Sequence, residues 1–268
     1  MRSLGLLTEY DISMLKKIPF CEIQFDNNFD MSKIACEIVD NTEWYDYIPP
    51  GYKRTRSIIN SFQNYKGLTL LTFDPDRSQA DVIEGTQFIN PFQSKYEDYY
   101  DVPLELRQIY HTSSATRFPK TIEFIRSITQ FPRLAKIVLT KGQHGLSWHS
   151  HQRLKDKRKQ YEEPFILHLP IVTSLDMVHM VSRKYESGAV SFDKEKYILD
   201  KNILCKNFGI NKLYFFNSYL WHACVNFSNH TRISLLLNND IRNNPQLESL
   251  VKNMVDKYDG PLIDDPIQ

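Results

Sequence analysis

Along most of this chain, hydrophobic and polar positions alternate over short runs, which predicts strands; helical spacing recurs only near the flanks. Leu68-Thr-Leu-Leu-Thr-Phe reads as a strand stopped by the turn signal Asp74-Pro75-Asp76. Phe165-Ile-Leu-His-Leu-Pro-Ile-Val-Thr reads as another. Val178-His-Met-Val-Ser-Arg-Lys-Tyr and Ala189-Val-Ser-Phe flank Glu186-Ser-Gly188 and predict a hairpin. Asn211 to Asn238 reads as two strands joined by a tight connection, the first carrying Leu213, Phe215 and Phe216, the second Arg232-Ile-Ser-Leu-Leu-Leu. Helical signals are fewer. Asp30 is placed to cap a helix to about Asp40 that buries Ile34, Ile38 and Val39. Pro119 to Ile128 is helix-like, and Asn244-Pro245 opens a helix with proline at its first position. On that last helix Leu247, Leu250, Val251, Met254, Val255 and Tyr258 share one face before Gly260-Pro261 stops it. Such a stripe serves an internal core or a dimer contact.

Composition narrows the class. The 268 residues suffice for one large β-domain, and a hydrophobic fraction of 41% with 13% aromatics supports a packed core. Lys+Arg 33 against Asp+Glu 32 leaves a net charge of +1, which argues against general attraction to nucleic acid or anionic membrane. Cys21, Cys36, Cys205 and Cys224 show no Cys-x-x-Cys spacing and read as reduced thiols of a cytoplasmic protein. The Leu4-Gly5-Leu6-Leu7 run is too short for an export signal, and no stretch approaches the ~18 apolar residues of a membrane span.

The chemistry concentrates late in the chain. His149 and His151 are two apart, so in an extended run both point to one face. A third nitrogen from His222 would complete a set on one side of a metal, leaving its other positions open. Arg232, ten residues after His222, can grip a carboxylate through two parallel hydrogen bonds. Each has a plainer reading: a histidine at a strand end is often structural, and an arginine among apolar neighbours often pairs with a local acid. His179, beside Val178, is read as structural. Cys224 reads as an apolar filler, with proximity to the metal as the alternative.

The order of these segments resembles the aspartyl/asparaginyl β-hydroxylase-like branch of the Fe(II)/2-oxoglutarate-dependent oxygenases. The resemblance spans about residues 119–240, and Phe216-Asn-Ser-Tyr-Leu-Trp-His to Thr-Arg-Ile is its most specific part. It implies a mainly β fold with flanking helices around a double-stranded β-helix, a jelly-roll of the cupin type. Residues 1–118 would wrap that core, 119–240 would form it, and 244–259 would be the C-terminal helix, all as one oxygenase domain. By resemblance His149 and His222 are iron ligands, Arg232 and Ser234 bind the far carboxylate of 2-oxoglutarate, and His168 faces that cosubstrate. The branch has glycine, and most of these oxygenases an acid, where this chain has His151; Ile166 stands where an arginine is usual. Three readings of the metal site follow: His151 as a true third ligand; two histidines alone, with His151 holding water or substrate; or a site that has lost iron or takes a carboxylate from elsewhere, such as Glu162 or Asp176. A halogenating variant, which needs a small residue at 151, is disfavoured.

The implied activity consumes Fe(II), 2-oxoglutarate and O2, releases succinate and CO2, and hydroxylates a C–H bond of an unidentified prime substrate. That substrate is an amino-acid side chain, free or in a peptide or protein, or a small metabolite. A cupin-like metalloprotein without keto-acid chemistry, or a binding module on the same barrel, is the alternative. The basic run Arg153 to Lys159 follows His151 closely and is a solvated loop or a lid over the pocket. Trp44 to Tyr65 is rich in aromatic and basic residues (Arg54, Arg56), and 77–118 is polar and irregular, its Tyr96, Tyr99, Tyr100 and Tyr110 read as packing and surface cover with a substrate-facing loop as the alternative. The protein is expected to be a monomer or a homodimer through its C-terminal helix.

Overall fold

The computed structural model describes residues 6–25, 28–46, 65–72, 109–130, 132–150, 165–184, 190–239, 241 and 244–264. The stretches 47–64 and 73–108, the basic run at 153–159 with His151 and Glu162, and the turn at 186–188 lie outside the described residues.

Twelve strands are described, in two sheets: β1 (Phe20–Ile23), β2 (Tyr45–Asp46), β3 (Tyr65–Thr72), β4 (Tyr110–His111), β5 (Pro132–Thr140), β6 (His144–His149), β7 (Phe165–Val172), β8 (Met177–Ser182), β9 (Ile203–Lys206), β10 (Leu213–Asn217), β11 (His222–Asn226) and β12 (Arg232–Asn239). The larger sheet has the order β1-β10-β7-β12-β5-β3-β2 with β4 beside β3, and the smaller runs β6-β11-β8-β9. From β5 onward the pairings are antiparallel, and the chain crosses between the sheets so that β5-β12-β7-β10 faces β6-β11-β8-β9. That order is the double-stranded β-helix, in which strands distant in sequence become neighbours.

Residues 1–118 add strands to both edges of the larger sheet, β1 on β10 and β3 on β5. They also supply helices α1 (Glu9–Lys17) and α2 (Met31–Asn41), while α3 (Pro119–Ile128) leads directly into β5. A short 3-10 turn covers Ser113–Arg117, so the end of the 77–118 region, expected to be irregular, is ordered around it and β4. Helix α1 starts with a reciprocal pair of hydrogen bonds between Thr8 and Asp11. Asp30 caps α2 as its position predicted, and Ile34 and Ile38 are buried; Val39, a further turn-fraction around the helix, is 48% exposed.

The alternation of the strands sorts two interiors. Leu167, Leu169, Leu213, Phe215, Ile233, Leu235 and Leu237 point outward from the barrel and form the main apolar core with Ile34, Ile38, Phe124 and Ile125. Helix α5 (Pro245–Lys257) joins this core through Leu247, Val251, Met254 and Val255, so these residues of its apolar stripe pack within the chain. On the smaller sheet, Trp148, Val178, Met180, Ala223 and Val225 also point outward and are covered by Tyr197 of α4 (Lys194–Ile198). The opposite faces of both sheets look into the barrel, and there the polar groups lie.

Two strand expectations change. Asn211 to Asn238 holds three strands, because His222-Ala-Cys-Val-Asn is itself a strand of the opposite sheet; β10 and β12 both pair with β7 rather than with each other. The expected hairpin with Val190 to Phe192 does not form: β8 pairs with Ile203–Lys206, and α4 occupies the connection. None of the described helices is long and apolar enough to cross a membrane.

Asn217, at the end of β10, ties the turn before His222 to the helical layer. Its Nδ2 donates to the carbonyls of Leu15, Lys16 and Ile18 at 3.0–3.1 Å, closing the end of α1, and its Oδ1 accepts from the Tyr219 N–H. Asn217→Ala leaves buried carbonyls unpaired, at about 1–3 kcal/mol each when solvent cannot replace the donor. A loss of roughly 2–4 kcal/mol in urea unfolding is expected; a loss below 0.5 kcal/mol would show that this tie is dispensable.

Candidate active site

Strand β6 pairs with β11 so that His149 lies opposite His222. Their ring centroids are 4.1 Å apart. The register slips by one residue between the His222/His149 and Cys224/Leu146 pairs, and this bulge turns Trp148 outward while His149 and Leu146 face in. Each imidazole is oriented in the same way: Nδ1 of His149 donates to the Ser147 carbonyl at 2.7 Å, and Nδ1 of His222 to that of Leu220 at 2.8 Å. That partner assigns the proton to Nδ1 and leaves the lone pair on Nε2, the atom a metal takes. With metal–nitrogen bonds of about 2.1 Å, imidazoles on adjacent coordination positions have centroids roughly 4–5 Å apart. Burial lowers the pKa of His149 and keeps it in the neutral form that ligation requires. The pair fits a divalent ion.

A third donor is not seen among the described residues, where no group of three His, Cys, Asp or Glu side chains converges. His151 and Glu162 lie outside them. Asp176 is excluded as a ligand: it sits in the turn after β7, is exposed, and pairs with Lys194 at 2.6 Å. Its backbone carbonyl accepts from Phe227, beyond the end of β11 remote from His222.

The second feature of the barrel interior is a buried cation. Arg232 opens β12 opposite Thr140 and is 3% exposed. The loop before it is fixed by Asn226, whose Nδ2 donates to the carbonyls of Lys141 and His230. The β5–β6 turn presses on the same loop, and a Cβ on Gly142 would come within 2.7 Å of the Ser228 and Asn229 backbone. Among the described residues no acid pairs with Arg232. Its Nη2 instead meets Nε2 of His168 in a short contact and Nε2 of His179 at 3.2 Å, while its Nε has no partner. Ser234, next on the same face, has a buried hydroxyl that is also unpaired.

Burial pulls the Arg232 guanidinium below its usual range, but an arginine stays charged at neutral pH. Burial, then the Arg232 charge, then His179 push His168 well below the ordinary 6.5; burial and then Arg232 do the same to His179. Both imidazoles are therefore neutral, and among the described residues the positive charge in the pocket has no counter-ion. An unpaired buried charge is costly. The unused N–H of Arg232 and the unused hydroxyl of Ser234 fit a carboxylate.

Phe216 connects the two clusters, with its centroid 5.0 Å from that of His222 and 5.7 Å from that of His179. Cys224 faces the same interior and makes a 3.3 Å hydrogen bond with the Tyr65 hydroxyl; burial, then Cys224, raise the Tyr65 pKa well above its usual value. Tyr65 and His179 are site residues that sequence reasoning missed. Alternation supplies a signal for His179, a polar residue in an otherwise apolar strand facing the same way as Val181. No such signal marked Tyr65.

No family model matches the chain, and no curated protein matches it in sequence. Among solved structures it is similar to HygX from Streptomyces hygroscopicus with nickel, 2-oxoglutarate and hygromycin B bound, at 9% identity over 86% of each chain with a TM-score of 0.42. A prolyl hydroxylase from Trichoplax adhaerens, in complex with a hypoxia inducible factor peptide fragment, shares 8% identity over 89% of this chain and 90% of that one, with a TM-score of 0.45. An oxidoreductase of the 2OG-Fe(II) oxygenase family from Burkholderia pseudomallei shares 12% over 85% and 98%, with a TM-score of 0.34. These scores are too low to carry an assignment, which rests instead on strand order and side chains.

The depressed histidines set a pH dependence. Unfolded, His168 and His179 bind protons as pH falls through about 6.5; folded, they resist to lower pH. Stability of the metal-free protein is then full above about pH 7.5 and falls below 6.5, by at most about 1.4 kcal/mol per pH unit for each histidine. Urea unfolding at several pH values checks this. His179→Gln should have the shallower fall, and an equally steep one would contradict the assignment.

Proposed function

We propose that this chain is an Fe(II)/2-oxoglutarate-dependent oxygenase that hydroxylates a C–H bond of an amino-acid side chain, free or in a peptide or protein, or of a small metabolite. The observation that carries the reading is the pairing, inside one barrel, of two metal-competent imidazoles with a buried arginine that meets no acid among the described residues. A cupin-type isomerase or hydrolase has no use for the second half of that pair. Within the oxygenases, the aspartyl/asparaginyl β-hydroxylase-like branch is the finer reading, with His151 and Ile166 as its departures.

In this reading His149 and His222 hold the iron and His151 takes the third position. Arg232 and Ser234 bind the far carboxylate of 2-oxoglutarate, with His168 beside it. The bound metal and cosubstrate supply oxygen activation coupled to decarboxylation: O2, 2-oxoglutarate and a substrate C–H give succinate, CO2 and the alcohol. The chain's own residues do the positioning. The carbonyls of Ser147 and Leu220 accept from Nδ1 of the two imidazoles, which leaves Nε2 of each for the metal. Arg232 fixes the far end of the cosubstrate, so its keto acid is aimed at the metal rather than tumbling in the pocket. Phe216 and the surrounding aromatics keep water from the space between them.

Succinate release dependent on Fe(II), followed with candidate amino acids and peptides, tests the activity. Arg232→Ala removes a charge-assisted hydrogen bond worth roughly 1.5–3 kcal/mol, so the 2-oxoglutarate requirement rises by about one to two decades. Iron content should change little, and an unchanged cosubstrate requirement would refute the anchor. His151→Ala should lower iron occupancy clearly; full occupancy would favour a site of two histidines.

A further inference from the structure

His179 is built into the site more firmly than a structural histidine requires. Its ring stacks on Phe208 at 3.9 Å and 11°, and Phe208 stacks in turn on Tyr214 at 4.3 Å and 6°. The stack is anchored at both ends. Asn207 donates to the carbonyls of Ser174 and Met177, and the Tyr214 hydroxyl accepts from the Gly209 N–H at 2.9 Å. His168 closes the third side, edge-on to His179 at 4.8 Å and to Phe208 at 5.3 Å. Two imidazoles are thus held against one guanidinium nitrogen, and His179 has no room to swing away.

Lone pairs facing Arg232 suit the site only while no anion is there. A carboxylate that grips the guanidinium brings its oxygens against the same imidazole nitrogens, acceptor against acceptor. It also cancels the Arg232 charge that, after burial, disfavours protonation of both rings. We propose that His179, with His168, is a proton-accepting half of the anion anchor: as a ligand carboxylate takes Arg232 over, one imidazole binds a proton from solvent and becomes a donor to that carboxylate. This rests on the oxygenase reading, which supplies the carboxylate, and it assigns His179 a binding role.

The groups around His179 are consistent with this. From β12 it faces Arg232, from β7 His168, and from β10, behind Phe208, Tyr214. Its neighbours across the smaller sheet are Cys224 on β11 and Lys206 on β9. Tyr65 on β3 is bonded to Cys224. Among these described groups none is a carboxylate, so an incoming ligand is the source of negative charge in the pocket. The depressed proton affinity of both histidines in the ligand-free protein is the expected starting state. Linkage then sets the sign: the filled site holds more protons than the empty one, so affinity is highest at low pH and falls as pH rises.

The test is calorimetric titration of 2-oxoglutarate into protein saturated with Mn(II), anaerobically, in buffers of different ionisation enthalpy between pH 6.0 and 8.0. Metal saturation keeps the ligand imidazoles from titrating. The expected result is net proton uptake at pH 6.0–6.5 that fades toward pH 8, with Kd rising by up to tenfold per pH unit where uptake is largest. His179→Gln should lose most of the uptake and flatten the pH dependence, and His168→Gln covers the case in which the first variant does not fold. Binding by the wild type without proton exchange and with constant Kd overturns this inference and leaves the oxygenase reading standing. No binding of 2-oxoglutarate at any pH overturns that reading and this inference with it.

Discussion

A full positive charge is buried inside the barrel, with no acid among the described residues to meet it, and the architecture around Arg232 is arranged to tolerate that. Isolated charge in a low-dielectric interior is among the most costly features a fold can carry. Here two neutral imidazoles accept from the guanidinium, while its Nε and the neighbouring Ser234 hydroxyl have no partner. The cost is offset by the apolar layers outside the barrel, where α1, α2, α3 and α5 cover the outer face of the larger sheet. Stability and function are thereby separated: the outward faces of the strands hold the molecule together, and the inward faces are left for chemistry.

The crossing of the chain between two sheets is what makes this separation useful. Strand β12 carries Arg232 beside β7 with His168, and β8 of the opposite sheet brings His179 to meet them. The pairing of β6 with β11 gathers His149 and His222 from positions far apart in the chain. A one-residue bulge does the final aiming, since without it His149 and Leu146 would face opposite ways. Phe216 lies edge-on to both His222 and His179 and links the two clusters, while Phe208 and Tyr214 stack behind His179.

Much of this was legible in the residues. The alternation at Phe165–Val172 and Arg232–Asn239, the cap at Asp30 and the proline-led helix at Pro245 all stood where their patterns put them. What failed did so for physical reasons. His222-Ala-Cys-Val-Asn is only five residues long and buried on both faces, so it has no polar alternation to mark it as a strand. Val190 to Phe192 has the composition of a strand, but β9 has the place beside β8. His179 looked structural because a lone imidazole in an apolar run carries no sign of what lies across the barrel. Partners that are non-local in sequence were the common blind spot.

The central claim is that two imidazoles and one guanidinium share a single cavity built for a metal and a dicarboxylic acid. A crystal grown anaerobically with Fe(II) and 2-oxoglutarate tests it most directly. The account predicts one ion bound to Nε2 of both His149 and His222, and a cosubstrate running from that ion to a carboxylate on Arg232 and Ser234. An ion held elsewhere, or a cosubstrate that leaves Arg232 untouched, would contradict it.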